Sequence, residues 1–492
     1  METPAPDDTP PVAPPSGAEL AWAFGELRGA RLGDARLVRR LIQVTLAVSN
    51  KPEGSLPSAC SGEPHDAKAA YRFFDNDKVL PAEIIAAHRQ ATLGRARDLG
   101  CKLILGVQDS TYVNFTTHRA TTGLGSIGAP GLRGFIHHGV LAVDAERGVP
   151  LGWLDSYTWV RPEDTPSSPP PDPAPPDADK PPPSPPPPDE EKEKESHRWL
   201  DALTRSSAVL PPDISMITVA DREADCFELF DHARNLDQHL LVRAHHDRKV
   251  VVDEEIKYLR DAALAAEVLG VTAFTIPRDD KHNRPERQAL ATLQVAHVLL
   301  QPPDHLAARH LAPVPIQVIL LQEIDAPADQ KPVQWLLLTT LPVCTLDEAC
   351  QCVEWYSWRW RIERLHFILK SGCNYEQLQL ETADRLWRAL AIYLIVAWRV
   401  LYIDLVGRTF PTVPCTIFLT ADEWQALCCH HQKTPTPPAD PPDARTAVRW
   451  IAKLGGFLGR KGDGEPGVKT LWRGLRQLQA LTEMYQIICR RE

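Results

Sequence analysis

The chain has 492 residues, 43% hydrophobic and 24% charged, with a formal net charge of −10 and 11 cysteines. That length exceeds one compact core, and the composition excludes a fibrous or wholly disordered chain. No run approaches the roughly 18 uncharged apolar residues of a membrane span; the best stretch, Ala389–Leu401, is interrupted by Arg399. Residues 1–18 are acidic and proline-rich, not cationic and then apolar, so neither secretion nor membrane insertion is expected. The cysteines are scattered without a CxxC pair and are expected to be free thiols in a reducing cytoplasm rather than zinc ligands.

The net charge speaks at first against a nucleic-acid partner, but its distribution reverses that. Residues 1–18 carry −3 and residues 161–197, with ten acids and four bases, carry −6, which leaves −1 for the rest. A near-neutral body can present a basic face, because steering follows the local field.

Taken in order, residues 1–18 read as a disordered acidic tail. RLGDARLVRRLIQVTLAVS (31–49) predicts a helix capped by Asp34, with Leu37, Leu41 and Val44 on one stripe. Arg36, Arg39 and Arg40 fall on a second face with no acid, either a solvated surface or a set of phosphate contacts. A second helix is predicted over His65–Asn76, and the helical unit ends near residue 82. Lys102–Gln108 predicts a buried strand ending in Asp109, followed by strands over His138–Asp144 and Val149–Val160. Residues 162–195 are dense in proline and acid and predict an extended, solvated loop. Helix is predicted over Ser196–Ser207, a strand over Ile214–Ala220 ending in Asp221, and helix over Cys226–Asn235. Strands dominate from Leu240 to Leu341, and helix returns at Leu346 and runs to the end.

Two strands ending in aspartate and a later helix bearing an acid are what a two-metal phosphodiester site requires, with carboxylates holding two ions about 3.5–4 Å apart. A strand-end aspartate alone is more often a turn-former or helix cap. The helix adds weight. In WYSWRWRIERLHFILK, Tyr356, Arg359, Glu363 and Lys370 fall within about 60° of one face at helical spacing. That face offers an acid for metal beside two cations and a phenol for phosphate oxygens, although Arg359 and Glu363, four apart, also suit a simple ion pair. Arg222, beside Asp221, is better placed to meet phosphate than to pair internally.

Tyr356, Arg359, Glu363 and Lys370 match the Y-(2)-R-(3)-E-(6)-K signature of the insertion-sequence-four family of DDE transposases. Asp221-Arg-Glu-Ala-Asp225 resembles the block around that family's second catalytic aspartate, and Asp109-Ser-Thr111 the block around the first. Leu32-Gly-Asp34 with Arg36 and Arg39–Leu41 resembles its N-terminal DNA-binding domain; Leu454-Gly-Gly-Phe457 and Leu471-Trp472 resemble its C-terminal dimerisation region. The resemblance runs from about residue 20 to the end, apart from the proline loop, with the blocks in order.

The resemblance implies an α/β chain. It would have a helical DNA-binding domain at 19–82 and a ribonuclease-H-like catalytic domain at 83–407. A β-rich subdomain would be inserted at 240–345, and a helical dimerisation domain would follow at 408–492. It implies Asp109, Asp221 and Glu363 as catalytic metal ligands for two Mg²⁺, with Mn²⁺ able to substitute, and cut-and-paste transposition through a DNA hairpin. Partners would be double-stranded DNA, as element ends and target, and a second copy in the synaptic complex, with a cytoplasmic, nucleoid-associated location. Trp335 resembles the family tryptophan that stacks on a flipped base; Arg243 and Lys281–Arg287 resemble its DNA-contacting segments. The alternative is a catalytically silent DNA-binding inhibitor or domesticated relative. The acidic tail and the enlarged acidic loop after Trp159 depart from the family pattern.

Overall fold

The computed structural model describes residues 22–51, 54–60, 64–128, 130–161, 197–276, 287–328 and 330–489. The predicted tail 1–18 and loop 162–195 lie outside the described residues. The described residues open with helices α1 (Trp22–Leu27), α2 (Ala35–Asn50), α3 (Leu56–Ala59), α4 (Pro64–Phe74) and α5 (Pro81–Asp98). Asp34 caps α2, its side chain accepting from the Arg36 N–H, and Leu41 and Val44 are buried. The supposedly acid-free arginine face is a correction. Arg36 pairs with the capping Asp34 itself at 3.1 Å, and Arg40 lies 3.6 Å from Asp66 of α4. A helical wheel of α2 omits both acids, one lying before the helix and one on its neighbour.

Next come β1 (Leu103–Asn114), β2 (Gly125–Ser126), β3 (Arg133–Asp144), β4 (Pro150–Trp159), α6 (His197–Ser207), β5 (Ser215–Ala220), α7 (Phe227–Asn235) and β6 (His239–Arg243). The strand-rich stretch then holds β7 (Lys249–Val252), β8 (Glu255–Tyr258), α8 (Leu259–Ala265), β9 (Val268–Ile276), β10 (Arg287–Leu300), β11 (Val314–Ile324) and β12 (Gln334–Thr339). Among the described residues these strands make one mixed sheet, ordered β2-β3-β1-β5-β6-β12-β11-β10-β7-β8, with β4 on β3 and β9 on β10. The β1–β5 and β5–β6 pairs are parallel, and β12 runs antiparallel to β6, so the later strands continue the first ones. The sheet separates two apolar cores. Leu105 and Val107 of β1 belong to one, Ile104 to the other with Trp199, Phe227 and Phe230 of α6 and α7, as alternation along a doubly covered strand requires.

The remaining helices are α9 (Leu346–Ser357), α10 (Trp360–Phe367), α11 (Ala383–Thr409), α12 (Ala421–Gln432), α13 (Ala444–Leu454) and α14 (Val468–Cys489). Helix α11 is long and apolar enough to cross a membrane by length and composition, with a mean hydropathy of 2.0, longer than the 389–401 stretch suggested. Its most apolar window is entirely buried inside the protein. Its cations are satisfied there: Arg399 donates to Glu423 of α12 at 2.6 Å, and Arg388 reaches the Val79 and Phe74 carbonyls and Asp77. Two indole N–H groups tie it to β4, Trp153 to the Leu394 carbonyl and Trp398 to the Pro150 carbonyl. Helices α13 and α14 approach through glycines; a Cβ on Gly455 would sit 1.9 Å from the Thr470 carbonyl, and one on Gly474 1.8 Å from that of Ile451.

Helix α5, unread in the sequence, packs on α1, β4 and α11 and so shows no single apolar stripe. It joins the N-terminal helices to the core through a buried cluster. His88 Nδ1 donates to Glu26 of α1 at 2.7 Å, Arg95 also pairs with Glu26, and the Arg95 guanidinium lies 4.2 Å from the Trp398 ring. Burial opposes the Glu26 charge, but Arg95 and His88 outweigh it and hold the carboxyl at about 2, against an ordinary 4.5. That contribution, on the order of 3 kcal/mol, is complete above pH 4.5 and is lost as pH falls towards 2. Burial also lowers His88 from its ordinary 6.5, so acid weakens the fold from that side as well. In urea titrations the wild type should lose stability steadily below about pH 6.5. Glu26→Gln should cost about 3 kcal/mol at pH 7 and flatten the profile below pH 4.5; an unchanged midpoint at pH 7 would show that the cluster does not hold these helices.

Candidate active site

Strands β1 and β5 are in parallel register from Leu103 opposite Ser215 to Val107 opposite Val219. Asp109 and Asp221 each lie two residues further on, at matching levels of neighbouring strands about 4.8 Å apart. The two are not both strand-end residues, as the sequence suggests. Strand β5 stops at Ala220, but β1 runs on to Asn114 because its antiparallel partner β3 continues, with Asp109 opposite Gly139 and Asn114 opposite Gly134. Asp109 therefore stands where the sheet loses a strand on one side while its own backbone stays held on the other.

Asp221 is also a cap. One oxygen accepts the Glu223 N–H at 2.9 Å and opens the tight 3₁₀ turn Arg222–Ala224. Burial pushes its carboxyl upward, the Glu223 N–H pulls it down, and the Asp109 charge pushes it up again. The two acids thus share one field, and a cation between them would relieve it.

The Tyr356–Lys370 segment is not one regular helix, which corrects the single-face construction. Helix α9 ends at Ser357, α10 starts at Trp360, and Ile368–Gly372 widens into a π turn. At the joint the bonds tighten to three-residue spacing, Arg359 N–H to the Tyr356 carbonyl and Ile362 N–H to that of Arg359. Two tryptophans fix it. Trp355 donates to the Ala145 carbonyl at 2.8 Å, and the Trp358 ring lies on Gly148, where a Cβ would come within 2.8 Å of it.

The four side chains nonetheless work at neighbouring places. Arg359 Nη2 donates to Glu363 Oε1 at 2.5 Å. Burial opposes the Arg359 charge, but Tyr356, Glu363 and Asp109 more than compensate. Lys370 Nζ donates to the Tyr112 carbonyl on β1 at 2.6 Å, and burial lowers its pKa. Tyr356 is buried, its ring meeting that of Trp335 edge-on at 5.3 Å. Arg243, at the end of β6, donates to the Gln334 carbonyl at 3.4 Å; burial lowers its pKa, and the charges of Arg222 and Arg359 press the same way. Tyr356, Arg359, Trp335, Arg243 and Arg222 thus form one group, joined to the acids through the Arg359–Glu363 pair.

Other expected residues do not join them. Arg36, Arg39 and Arg40 are on α2. Residues 281–286 lie outside the described residues, and Arg287 is committed to Glu323 and Gln330 within the sheet. Two residues at the site went unread. His366 Nδ1 lies 3.5 Å from Asp109 Oδ2; its position three after Glu363 was the available signal. Arg198 of α6 donates to Ser110 Oγ at 3.0 Å and to Glu223 at 2.7 Å, bracing the segments that carry both aspartates, and no local pattern marks it.

Hard carboxylate oxygens sharing one field suit a divalent cation such as Mg²⁺. Among the described residues, no three His, Cys, Asp or Glu side chains are gathered closely enough to hold one, Glu363 being turned to Arg359.

Residues 19–79 match the transposase DNA-binding family, residues 191–399 the transposase DDE domain, and residues 395–489 the transposase Tn5 dimerisation domain. The DDE match begins beyond β1, so the place of Asp109 rests on the geometry above. Among solved structures, a piggyBac transposase synaptic complex with hairpin DNA is similar at 11% identity, covering 76% of this chain and 67% of that one, with a TM-score of 0.32. A likeness that loose carries no argument.

The shared field of the two aspartates gives a test. Without metal, Asp221→Asn should stabilise the fold by about 0.5–1 kcal/mol as the burial and repulsion of its charge are relieved, and Asp109→Asn is its companion in the metal test. Millimolar Mg²⁺ or Mn²⁺ should stabilise the wild type and neither variant. Equal metal stabilisation of all three proteins would place the ion elsewhere.

Proposed function

Because this chain belongs to the Tn5-like DDE transposases, we propose that it moves DNA by cut-and-paste transposition. The observation that carries the reading is the matched level of Asp109 and Asp221 on neighbouring parallel strands, with Glu363 and Arg359 packed beside them. The order β4-β3-β1-β5-β6, with β1, β5 and β6 parallel, supports a ribonuclease-H-like core. In this reading the chain would divide into a helical DNA-binding domain at 19–82, a catalytic domain at 83–407 and a helical dimerisation domain at 408–492; the β-rich insert expected at 240–345 would begin only after β6, which belongs to the core order.

Asp109, Asp221 and Glu363 would hold two Mg²⁺, or Mn²⁺ in their place. Such ions supply charge neutralisation at phosphorus and a more acidic water. The chain's own residues do the rest. Arg222, Arg243 and Arg359, with the Tyr356 phenol and Lys370, bind and orient phosphate oxygens. Water attacks phosphorus at the element end and releases a 3′-OH. That hydroxyl attacks the opposite strand to form the hairpin, a second hydrolysis opens it, and the 3′-OH then attacks target DNA. All are displacements at phosphorus, so one arrangement of acids and cations serves each. Trp335, whose ring meets that of Tyr356, would stack on a base flipped out of the bent strand.

Arg36, Arg39 and Arg40 would contact backbone phosphates and add salt-sensitive affinity. Met484, Ile487 and Ile488 form an exposed apolar stripe near the end of α14, which supports pairing with a second copy on two DNA ends. A DNA-bound dimer would sit with the nucleoid. The second reading, a catalytically silent DNA-binding relative, draws on the Arg359–Glu363 pair, which leaves the acids ungathered.

Cleavage of a labelled terminal-repeat duplex separates the two. Asp109→Ala, Asp221→Ala and Glu363→Ala should each lower cleavage by at least about a thousandfold while end binding is retained. A wild type that binds but never cuts would favour the silent reading. Trp335→Ala should slow hairpin formation at least about tenfold more than the first nick; equal loss at both steps would return Trp335 to a packing role.

A further inference from the structure

The third acid of the candidate site is already taken. Arg359 Nη2 holds Glu363 Oε1 at 2.5 Å, and the Arg359 side chain is 9% exposed against 34% for Glu363. The pair sits where the joint between α9 and α10 places it, fixed by Trp355 and Trp358. The Arg359 charge pulls the Asp221 carboxyl down and the Asp109 charge supports that of Arg359, so the field of one guanidinium reaches all three acids while its contact is with Glu363. Its Nε is buried and has no hydrogen-bond partner among the described residues. The guanidinium carbon lies 5.7 Å from the centre of the Tyr356 ring, and Arg222 and Arg359 both press on the charge of Arg243, a repulsion among three arginines that a bound anion would relieve.

We propose that Arg359 is a latch: in the DNA-free protein it occupies Glu363 as a counter-cation in place of metal, and a phosphate of the bound DNA end draws it away and frees Glu363. This rests on the reading of Asp109, Asp221 and Glu363 as the metal-holding set. A phosphate presents several oxygens to a guanidinium fork that now meets one carboxylate oxygen and leaves Nε unused. The same cation repels a divalent ion while it faces the acids, so DNA and metal must strengthen each other's binding by the same factor. The carboxylates are thereby kept from assembling a cleaving centre before substrate arrives.

Mn²⁺ binding to the full-length protein, read by electron paramagnetic resonance, tests this without any turnover. Arg359→Gln should bind Mn²⁺ at least about tenfold tighter than wild type in the absence of DNA. Glu363→Gln in that background should remove the gain. In the wild type an uncleavable end duplex should tighten Mn²⁺ binding, and Glu363→Gln alone should abolish that coupling, which keeps the test open if Arg359→Gln does not fold. Unchanged or weaker Mn²⁺ binding by folded Arg359→Gln, or undiminished coupling in Glu363→Gln, overturns the latch. Asp109→Asn/Asp221→Asn identifies failure of the underlying reading: Mn²⁺ binding that survives this double change puts the metal elsewhere, whereas its loss beside an unaltered Arg359→Gln condemns the latch alone.

Discussion

The parallel pairing of β1 with β5 is the constraint from which the site follows. Parallel strands at fixed separation bring residues at equal levels side by side, so Val107 opposite Val219 leaves no freedom in the relative levels of Asp109 and Asp221. What distinguishes the two acids is what continues past them. β3 holds β1 beyond Asp109, whereas the chain after Ala220 turns at once into a 3₁₀ bend capped by Asp221 itself. A gap opens at the sheet where a helix can approach, and α10 fills it, bringing His366 and the Arg359–Glu363 pair.

Much of this was legible locally. Asp34 is read as a cap because a short acid before an apolar stripe satisfies an end N–H, and the buried runs 103–107 and 215–220 are strands for the same reason in sequence and space. What the sequence withheld depends on distant partners. Nothing near Asp109 says that β3 will carry the strand five residues further. The break at residues 358–359 is imposed by the turn 145–148, about 210 residues upstream, which receives two tryptophans. Arg198 reaches Ser110 from a helix on the far side of the proline-rich segment. Such contacts have no periodicity to read.

Helix α11 makes a related point about polarity. Its length and hydropathy alone would suit a lipid environment, yet the protein surrounds it with helices and β4 and gives each buried cation a dedicated acceptor. Arg388 and Arg399 are buried fasteners, and they bind the α4–α5 turn and α12 to one axis. Acidic and basic groups deep in this chain are thus mostly joints between segments, and Glu26 with Arg95 and His88 is another.

The sheet does not end with the strands that carry the acids. β12, bearing Trp335, is zipped to β6, which follows the second aspartate, while β7 to β10 hang beyond β11. The spacing between the acidic pair and the indole is therefore set by ladder rungs close to the centre, and the outer strands contribute little to it. Lengthening or trimming that periphery would therefore leave the distance measured by the inner rungs unaltered.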